Sequence, residues 1–502
     1  MPTLQLVIVS AYLGVLSLLA LYGSHRLYIG TVYRRWRQHP PQPSSPDGLP
    51  LVTIQLPTFN ERNVVERLVD AACALDWPHD RLEIQVLDDS TDDTTAVARA
   101  RAALWQARGV DVQVLHRSDR TGFKAGALAA GAAAAKGELL AVFDADFVPP
   151  TDFLRRVVPH FDGFGPGPHQ VGMVQARWGH LNEQQNLLTR LSAVLLDGHF
   201  IVEHTARHRS GRFFNFNGTA GIWRNACITS AGGWQHDTLT EDLDLSYRAQ
   251  LAGWRFVFLR DDVVLAELPA DMRAFKTQQH RWAKGTMQTA RKLLPRILRS
   301  RLPLRIRLEA LVHLSSNLAY PLVLLLALLM PLAVAARGPG DLSRALLLDL
   351  PIFGMATGSV AWFYALAERD AWPGGWRGRL WRIPLAMSLG IGMAVNQSRA
   401  VVEGLLGSDR TFIRTPKAGA ETVRHYALGA GWTPVVELAL AAYYLAAIVA
   451  CVDRHLWASL PFLLLFGLGF GYVGLSSLGL LRWGSLRKGA GTSSQPGPLG
   501  AG

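Results

Sequence analysis

Apolar and polar positions divide this chain into long uncharged runs near its two ends and short alternating runs in the middle. The first long run, Leu4–Tyr22, is sufficient to cross a bilayer, which takes about 20 residues. Further apolar runs follow at Ala310–Ala336, Ala345–Ala367, Tyr426–Val452 and Leu456–Leu481, of which the second contains Asp349 and the third Glu437. A shorter one, Ile383–Ser398, lies between two arginines. The pattern predicts about five membrane spans plus one interfacial helix, with a soluble domain between the first span and the rest.

The distribution of basic residues orients these spans. Arginines follow the first span directly, at Arg26, Arg34, Arg35 and Arg37, and basic residues collect on the cytoplasmic side of a membrane. If 383–398 crossed the bilayer, the basic loop 407–431 would lie outside. If 383–398 lies in the interface, the loop is cytoplasmic, which the positive-inside rule favours. The basic stretch Arg291–Arg307 favours lipid headgroups over nucleic acid as a partner.

These boundaries predict a multi-pass protein of the cell membrane. Its parts are an N-terminal anchor (1–25), a cytoplasmic domain (40–305), a C-terminal membrane region (306–485) containing the loop 407–431, and a disordered tail (487–502). Membrane lipids are expected partners, and nucleic acid is not.

The middle of the chain alternates strand-like and helix-like runs. The strand-like runs are Leu51–Leu56, Glu83–Leu87, Val112–His116, Leu139–Phe143 and Val171–Ala176. The helical ones are Glu61–Ala74, Asp92–Arg108 and Lys124–Lys136. This alternation is typical of an α/β domain with a mostly parallel sheet and helices on both faces. In such sheets ligands bind at the carboxyl ends of the strands.

Composition excludes several other protein classes. The chain has 502 residues, of which 49% are apolar and only 18% charged, with a net charge of +12. This balance excludes intrinsic disorder. Three cysteines, far apart in sequence, form neither a disulfide framework nor a zinc cluster.

Carboxylates follow two of the predicted strands. Asp88 and Asp89 follow the second strand, and Asp144 and Asp146 follow the fourth. Alternate residues of an extended strand share a side, so Asp144 and Asp146 point to one place. Two carboxylates repel there unless a cation lies between them. Mg²⁺ or Mn²⁺, held by these carboxylates and diphosphate oxygens, fits the pattern.

Three further features carry chemistry on probable helices. Lys124 opens the third helix, where a cation and helix N–H groups together suit phosphate, although a solvated surface lysine is an equal alternative. The segment Thr240–Asp244 places three acids at a helix start, with Thr240 as the expected cap and one acid free to act as a general base. Gln278, Arg281 and Trp282 share one helical face. That face could bind phosphate and a sugar ring, or lie on the membrane surface.

Taken together, these motifs resemble the membrane-embedded family 2 glycosyltransferases, which include cellulose, chitin and hyaluronan synthases. The nearest resemblance is to cellulose-synthase-like mannan and glucan synthases and their bacterial relatives. The matching stretches are QLPTFNE, WPHDRLEIQVLDDSTDDT, GFKAGAL, FDADF, VQARW, FNGTAGIWR, AGGW, TEDLDLSYRA, GW, ELP and QQHRW. They occur in family order from residue 55 to 282.

The resemblance implies a GT-A-type catalytic domain inserted between transmembrane helices, and inverting transfer from a nucleotide sugar. It makes Asp242 the catalytic base and Asp144 and Asp146 the holders of Mg²⁺ or Mn²⁺. It assigns substrate binding to Asp88, Asp89, Lys124, Phe216, Asn217, Gly218, Thr219, Glu241, Gln278, Arg281 and Trp282. The segment Phe412–Lys417 resembles the family's gating loop, with Arg414 where the family has valine.

Three functions remain open from the sequence. The first is a synthase that uses UDP-glucose or GDP-mannose to extend and translocate a β-linked polysaccharide, and the motif around Trp282 favours it. The second is a glycolipid synthase that adds one or a few sugars to a membrane lipid. The third is a non-catalytic transport protein, which the complete set of catalytic motifs disfavours. The acceptor is accordingly a glycan or a lipid.

Overall fold

The predicted strands all form in the computed structural model, which describes residues 2–43, 48–161, 170–336, 351–407 and 431–481. One eight-stranded sheet has the order β3-β2-β1-β4-β7-β6-β8-β5. Its strands are β1 Val52–Thr58, β2 Leu82–Asp88, β3 Asp111–His116, β4 Leu139–Val142, β5 Phe147–Val148, β6 Val171–His180, β7 Gly221–Arg224 and β8 Arg255–Ala266.

The sheet is parallel in its first half and mixed as a whole. β1 pairs in parallel with β2 and β4, β2 with β3, and β6 with β8. β7 runs antiparallel to β4 and β6, and β5 runs antiparallel to β8. The prediction of a mostly parallel sheet therefore holds for six of the eight strands, and β7 and β5 run in the opposite direction. The short strands β5 and β7 have too few residues to show a period, and charged residues interrupt β8.

Helices cover both faces of this sheet. In β4, Leu139 and Ala141 pack toward α2 (Val65–Cys73) and α3 (Thr94–Gln106), whereas Leu140 and Val142 pack toward α4 (Phe123–Ala134). This is the two-residue period of a strand buried on both sides. The helices of the domain are α2 Val65–Cys73, α3 Thr94–Gln106, α4 Phe123–Ala134, α5 Phe153–Val157, α6 Leu187–Asp197, α7 Thr205–Arg209, α8 Asn225–Ser230, α9 Glu241–Leu251 and α10 Met272–Arg299.

Apolar helices precede and follow the domain. They are α1 Pro2–Trp36, α11 Leu304–Ser315, α12 Ala319–Ala336, α13 Ser359–Ala371, α14 Arg382–Gly392, α15 Ala394–Leu406, α16 Thr433–Asp453 and α17 Leu460–Ser477. Within the described residues, four helical segments are long and apolar enough to cross a membrane: Thr3–Trp36, Leu304–Ala336, Thr433–Asp453 and Trp457–Ser477. They correspond to four of the five predicted spans.

The remaining predictions about the membrane region fall only partly on residues that the structure describes. The predicted span 345–367 begins outside the described residues, and its later part forms a π-helical turn, Gly354–Gly358, followed by α13. The loop 407–431, with its gating-like segment Phe412–Lys417, lies outside the described residues apart from its two end residues. The tail 487–502 lies entirely outside them.

The predicted interfacial helix 383–398 is two helices, α14 and α15, that meet at Met393. Gly392 lies against Gly469 of α17 so closely that a Cβ on either residue would lie 2.2 Å from the backbone of the facing helix. Gly404 of α15 makes a similar contact with α10 at Lys284. The segment therefore lies between a membrane helix and the catalytic domain. Its depth in a bilayer stays a prediction.

Candidate active site

A cleft with an empty volume of about 740 Å³ opens where β4 ends and α9 and α10 begin. Most of the residues selected from the sequence line it. They are Lys124, Asp144, Asp146, Asn217, Gly218, Glu241, Asp242, Gln278, Arg281 and Trp282. The fold thus brings together five motifs that are separated by up to 158 positions in the sequence.

Asp144 and Lys124 form an ion pair at this cleft. The Lys124 Nζ lies 2.5 Å from Asp144 Oδ1 and donates to the Gly218 carbonyl oxygen at 2.9 Å. Burial alone would lower the pKa of Lys124, but the carboxylates of Asp144 and Glu241 raise it above its ordinary value. Lys124 is therefore a fixed cation, not the freely solvated side chain that the sequence left open.

Asp144 and Asp146 provide a ligand set that a hard divalent cation would accept. Both carboxylates line the cleft, with Asp144 one third exposed and Asp146 almost completely buried. Within the described part of the chain, no group of three or more His, Cys, Asp or Glu side chains could hold a metal. An ion held by these two carboxylates would take its remaining ligands from water or substrate, as Mg²⁺ commonly does.

Asp242 has the environment of a general base. Its half-buried carboxyl loses hydration in the cleft, and this loss together with the negative charge of Glu241 raises its pKa to about 7, against the opposing effect of Lys124. A base with a pKa near neutral is efficient at neutral pH. Gly218, with φ of 85°, makes room for it, because a Cβ there would lie 3.0 Å from Asp242 Oδ2.

The start of α9 differs from expectation in its cap. The Thr240 hydroxyl makes no capping bond and instead lies 3.2 Å from the Thr289 hydroxyl of α10. Asp242 Oδ1 accepts from the Leu243 N–H at 2.8 Å. The prediction that Thr240 caps the helix through its side chain is wrong, because packing against α10 gives the hydroxyl a tertiary partner.

We expect the rate of transfer to rise with pH through about 7 and then to level, since Asp242 accepts a proton only when ionised. Glu241→Gln should move this rise to lower pH, because removing the neighbouring negative charge makes ionisation of Asp242 easier. The measurement is the initial rate from pH 5 to 9 at saturating donor. A profile that is unchanged in Glu241→Gln would contradict the assignment of the titrating group.

The helix α10 presents Gln278, Arg281 and Trp282 to the cleft, as their spacing predicted. The Trp282 ring lies 6.4 Å from the ring of Trp178, centroid to centroid, so two indoles form one aromatic wall. On another side of α10, Lys276 Nζ lies 2.7 Å from Glu437 Oε1 of α16. The helix that carries the cleft residues is therefore fixed directly to a membrane helix.

Asp88 and Asp89 lie at the carboxyl end of β2, on the same sheet edge as Asp144, but they do not line the 740 Å³ cleft. Asp88 Oδ2 lies 2.7 Å from His116 Nδ1 and accepts from the Thr95 hydroxyl at 2.6 Å. Burial would raise the pKa of Asp88, but its hydrogen bonds lower it below the ordinary value. Both carboxylate oxygens of Asp89 accept from the Arg117 guanidinium.

The structure places Phe216 and Thr219 behind the cleft, not on its surface. Phe216 is completely buried, with its ring edge-on to Trp223 at 5.5 Å. The buried Thr219 hydroxyl accepts from the Asp144 N–H at 2.9 Å. The expectation that these two side chains line an acceptor site is not met, because the chain turns at Gly218, with φ of 85°, and leaves both of them in the core.

The cleft residues that were not singled out from the sequence include Trp178, His180 and Glu267. Trp178 and His180 end β6, and His180 Nε2 lies 3.0 Å from Asp197 Oδ1. Glu267 follows β8 and accepts from Arg67 at 2.7 Å. Trp178 and Glu267 lie in the family-like stretches VQARW and ELP. All three residues lie at strand ends, where ligands bind in α/β sheets, and this position was the sequence signal that could have identified them.

The cleft continues toward the membrane helices. A second cavity, with an empty volume of about 1310 Å³, shares Asn217, Asp242, Gln278 and Trp282 with the cleft. Its other end is lined by membrane-helix residues, including Arg26, His313, Ser316, Asn317 and Tyr364. A third cavity, of about 1410 Å³, shares Arg26, Glu203, His313, Ser316 and Tyr364 with the second and continues between α1, α12, α13 and α14.

Comparison with known proteins agrees with this geometry. The family model described as "Glycosyltransferase like family 2" matches residues 50–285. "Glucomannan 4-beta-mannosyltransferase 2" of Arabidopsis thaliana is 45% identical over 51% of this chain and 48% of its own length. "Glucomannan 4-beta-mannosyltransferase 1" of Oryza sativa subsp. japonica is 43% identical over 53% of this chain and 52% of its own length. This chain therefore spans about half the length of the curated relatives it matches.

A solved structure supports the fold. It is the mannosyltransferase PcManGT from Pyrobaculum calidifontis in complex with GDP-Man and Mn²⁺, with a TM-score of 0.53 and 22% identity. The alignment covers 73% of this chain and 99% of that one. The GT-A-type catalytic domain flanked by apolar helices, expected from the sequence, is confirmed. Over residues 50–285 this chain therefore matches the glycosyltransferase-like family 2.

Proposed function

We propose that the protein is an inverting mannosyltransferase of the membrane that extends a β-linked polysaccharide. The observation that supports this most is that Asp242 borders both the cleft and the cavity leading to the membrane helices. A hydroxyl arriving from the membrane side therefore meets the base at the point where a donor sugar would lie. The two plant relatives, both glucomannan 4-beta-mannosyltransferases, support mannose as the sugar.

The chemical step is a displacement at the anomeric carbon of the donor. Asp242 removes the proton from the acceptor hydroxyl while its oxygen forms the new bond, and the nucleoside diphosphate leaves. Lys124 and Arg281 lie in the same cleft and stabilise the charge that develops on the diphosphate. Trp282 and Gln278 orient the acceptor. Asp88 and Asp89 contact the nucleoside.

The remaining cleft residues support these groups. Glu241 adds to the effect of burial in raising the pKa of Asp242, and we assign it a contact with the donor. The segment Phe216–Thr219 passes between Lys124 and Asp242, so we assign it to the acceptor site through its cleft-lining members, Asn217 and Gly218.

We propose that Asp144 and Asp146 hold Mg²⁺ or Mn²⁺ together with the donor diphosphate. When bound, the ion supplies positive charge that offsets the negative charge developing on the leaving diphosphate. Asp146→Asn should reduce transfer by about 10²-fold or more, comparable to losing one preorganised charge-stabilising group. Mn²⁺ binding in the presence of GDP, followed by electron paramagnetic resonance, should weaken in parallel. Full activity of the wild type in excess chelator would contradict the metal assignment.

The continuous cavities support translocation of the product through the membrane region, which makes a processive synthase the preferred form of the enzyme. The test is incubation of membranes with labelled GDP-mannose and, separately, UDP-glucose, followed by sizing of the product. Long mannan from GDP-mannose would support the proposal, and transfer from neither donor would contradict it. A short, organic-soluble product would favour the glycolipid synthase.

We propose that the catalytic domain is cytoplasmic in a multi-pass protein. All three native cysteines are buried. A single introduced cysteine therefore reports on which side of the membrane it lies, without removal of the native ones. Asp80→Cys replaces a side chain that is 80% exposed on the domain. It should resist an impermeant thiol reagent in intact cells and react after permeabilisation, and so should Ser408→Cys. Labelling of Ser408→Cys alone in intact cells would contradict the five-span topology.

A further inference from the structure

The loop 217–219 is the segment on which the geometry of the cleft depends most. The carbonyl oxygen of its middle residue, Gly218, accepts from Lys124 at 2.9 Å, and its Cα lies against Asp242. A small displacement of this loop would move both the base and the cation. The groups that hold the loop therefore affect the positions of both the base and the cation.

Two histidines fix the side chain of Asn217. Its Oδ1 accepts from His204 Nε2 at 2.5 Å, and its Nδ2 donates to His199 Nε2 at 3.0 Å. Burial lowers the pKa of both rings, that of His204 to about 3, so both are neutral. Because His199 Nε2 accepts from Asn217, its proton is on Nδ1, which donates to Glu203 Oε2 at 3.0 Å.

A π-helical turn, Gly198–His204, makes this arrangement possible. In an α-helix, residues five positions apart are rotated by roughly 140° from each other. In the wider π-turn the i and i+5 residues meet, and the rings of His199 and His204 are 4.3 Å apart. The turn thus presents both rings to Asn217. Single π-turns of this kind occur frequently at functional sites.

Glu203, in the same turn, connects these histidines to the N-terminal membrane helix. Its buried carboxylate pairs with Arg26 of α1 and accepts from Arg207 Nη1 at 3.2 Å. Arg207 in turn donates to Glu309 of α11 at 2.9 Å. An unbroken chain of polar contacts therefore runs from Asn217 through His199 and the buried Glu203 to Arg26 of α1.

We propose that α1 acts on the reaction through this chain, with Arg26, Glu203 and His199 as positioning residues for the loop 217–219. The inference rests on the proposed transferase function and adds a role for the membrane anchor beyond attachment. Without the Arg26 guanidinium, the Glu203 carboxylate turns toward Arg207, its remaining cation, and the proton acceptor of His199 is displaced. Asn217 then loses its fixed orientation, and the loop it begins shifts.

The test compares Arg26 of α1 with Arg37, the residue that directly follows this helix. Arg26→Met should lower kcat by about 10-fold or more while the KM for donor stays unchanged, because displacements of about 1 Å can cost about 10²-fold. Arg37→Met is the matched control. Arg37 has a similar exposure, 30% against 32%, and is ion-paired to Asp370, with no contact to Glu203. Arg26→Lys, which keeps the charge, should restore most of the lost rate.

Two further variants keep the proposal falsifiable. The double variant Arg26→Met/Glu203→Gln should be no slower than the slower single variant, since both residues act through one chain. If Arg26→Met does not fold, His199→Phe replaces it, because this change keeps a ring but removes both hydrogen bonds. Wild-type kcat in Arg26→Met or in His199→Phe would overturn the proposal, as would equal losses in Arg26→Met and Arg37→Met. Absence of transfer by the wild type would instead contradict the proposed function itself.

Discussion

Replacing Asp242 with asparagine should reduce sugar transfer by about 10²- to 10⁴-fold, the usual contribution of a general base, while nucleotide binding persists. Asparagine keeps the size of the side chain and can still contact the Leu243 N–H through its oxygen. It cannot accept a proton at neutral pH. The cations Lys124 and Arg281 remain in the cleft to bind diphosphate. The measurement is the initial rate of transfer together with GDP affinity by calorimetry.

Asp237→Asn is the matched control for this change. Asp237 precedes the same helix, is partly exposed, pairs with Lys292 and lies outside the cleft lining. The same chemical substitution there should leave the rate near that of the wild type. Substantial transfer by Asp242→Asn would mean that another group, such as Glu241, removes the proton.

Trp282→Ala should reduce polymer output by about 10²-fold or more, because loss of acceptor orientation has costs of this order. The same change should alter the affinity for the donor little. The ring forms one wall with Trp178 and borders both the cleft and the cavity that leads to the membrane helices. A flat indole can cover a sugar face through its apolar surface. The nucleoside contacts proposed for Asp88 and Asp89 do not involve this ring. The measurements are product length and the KM for donor.

Trp282→Phe provides the comparison, because it keeps an aromatic face at the same position on α10. We expect it to retain much of the output and a longer product than the alanine variant. If Trp282→Ala instead weakens nucleotide binding and leaves chain length intact, the ring is structural. In that case the acceptor is held elsewhere, and Trp178 would be the next residue to test.

The strands and helices of the domain were predictable wherever burial imposes a long regular period. The strand Leu51–Leu56, predicted from its apolar run, is β1 Val52–Thr58, and the helix Lys124–Lys136 is α4 Phe123–Ala134. The direction of a strand is a different matter, because an antiparallel strand and a parallel one have the same side-chain period. The antiparallel insertion of β7 between β4 and β6 was therefore not visible in the sequence.

The members of the candidate site were predicted more accurately than the role of each member. A motif identifies residue types at a spacing, so Asp144, Asp242 and Arg281 were all expected to meet, and the structure brings them into one cleft. It does not identify which side of an irregular segment faces inward. Phe216 and Thr219 illustrate this, because the turn at Gly218, with φ of 85°, directs them to the core.

The sequence by itself determined the class of fold, the membrane helices and the chemistry of the cleft residues, since each depends on composition and local spacing. Only the tertiary structure decided what those residues contact. The pKa of Asp242 depends on its burial beside Glu241 and Lys124, which are brought together from different helices. The connection from Arg26 to Asn217 spans 191 positions of sequence. No local pattern records such contacts, because they arise when separate elements exclude water together.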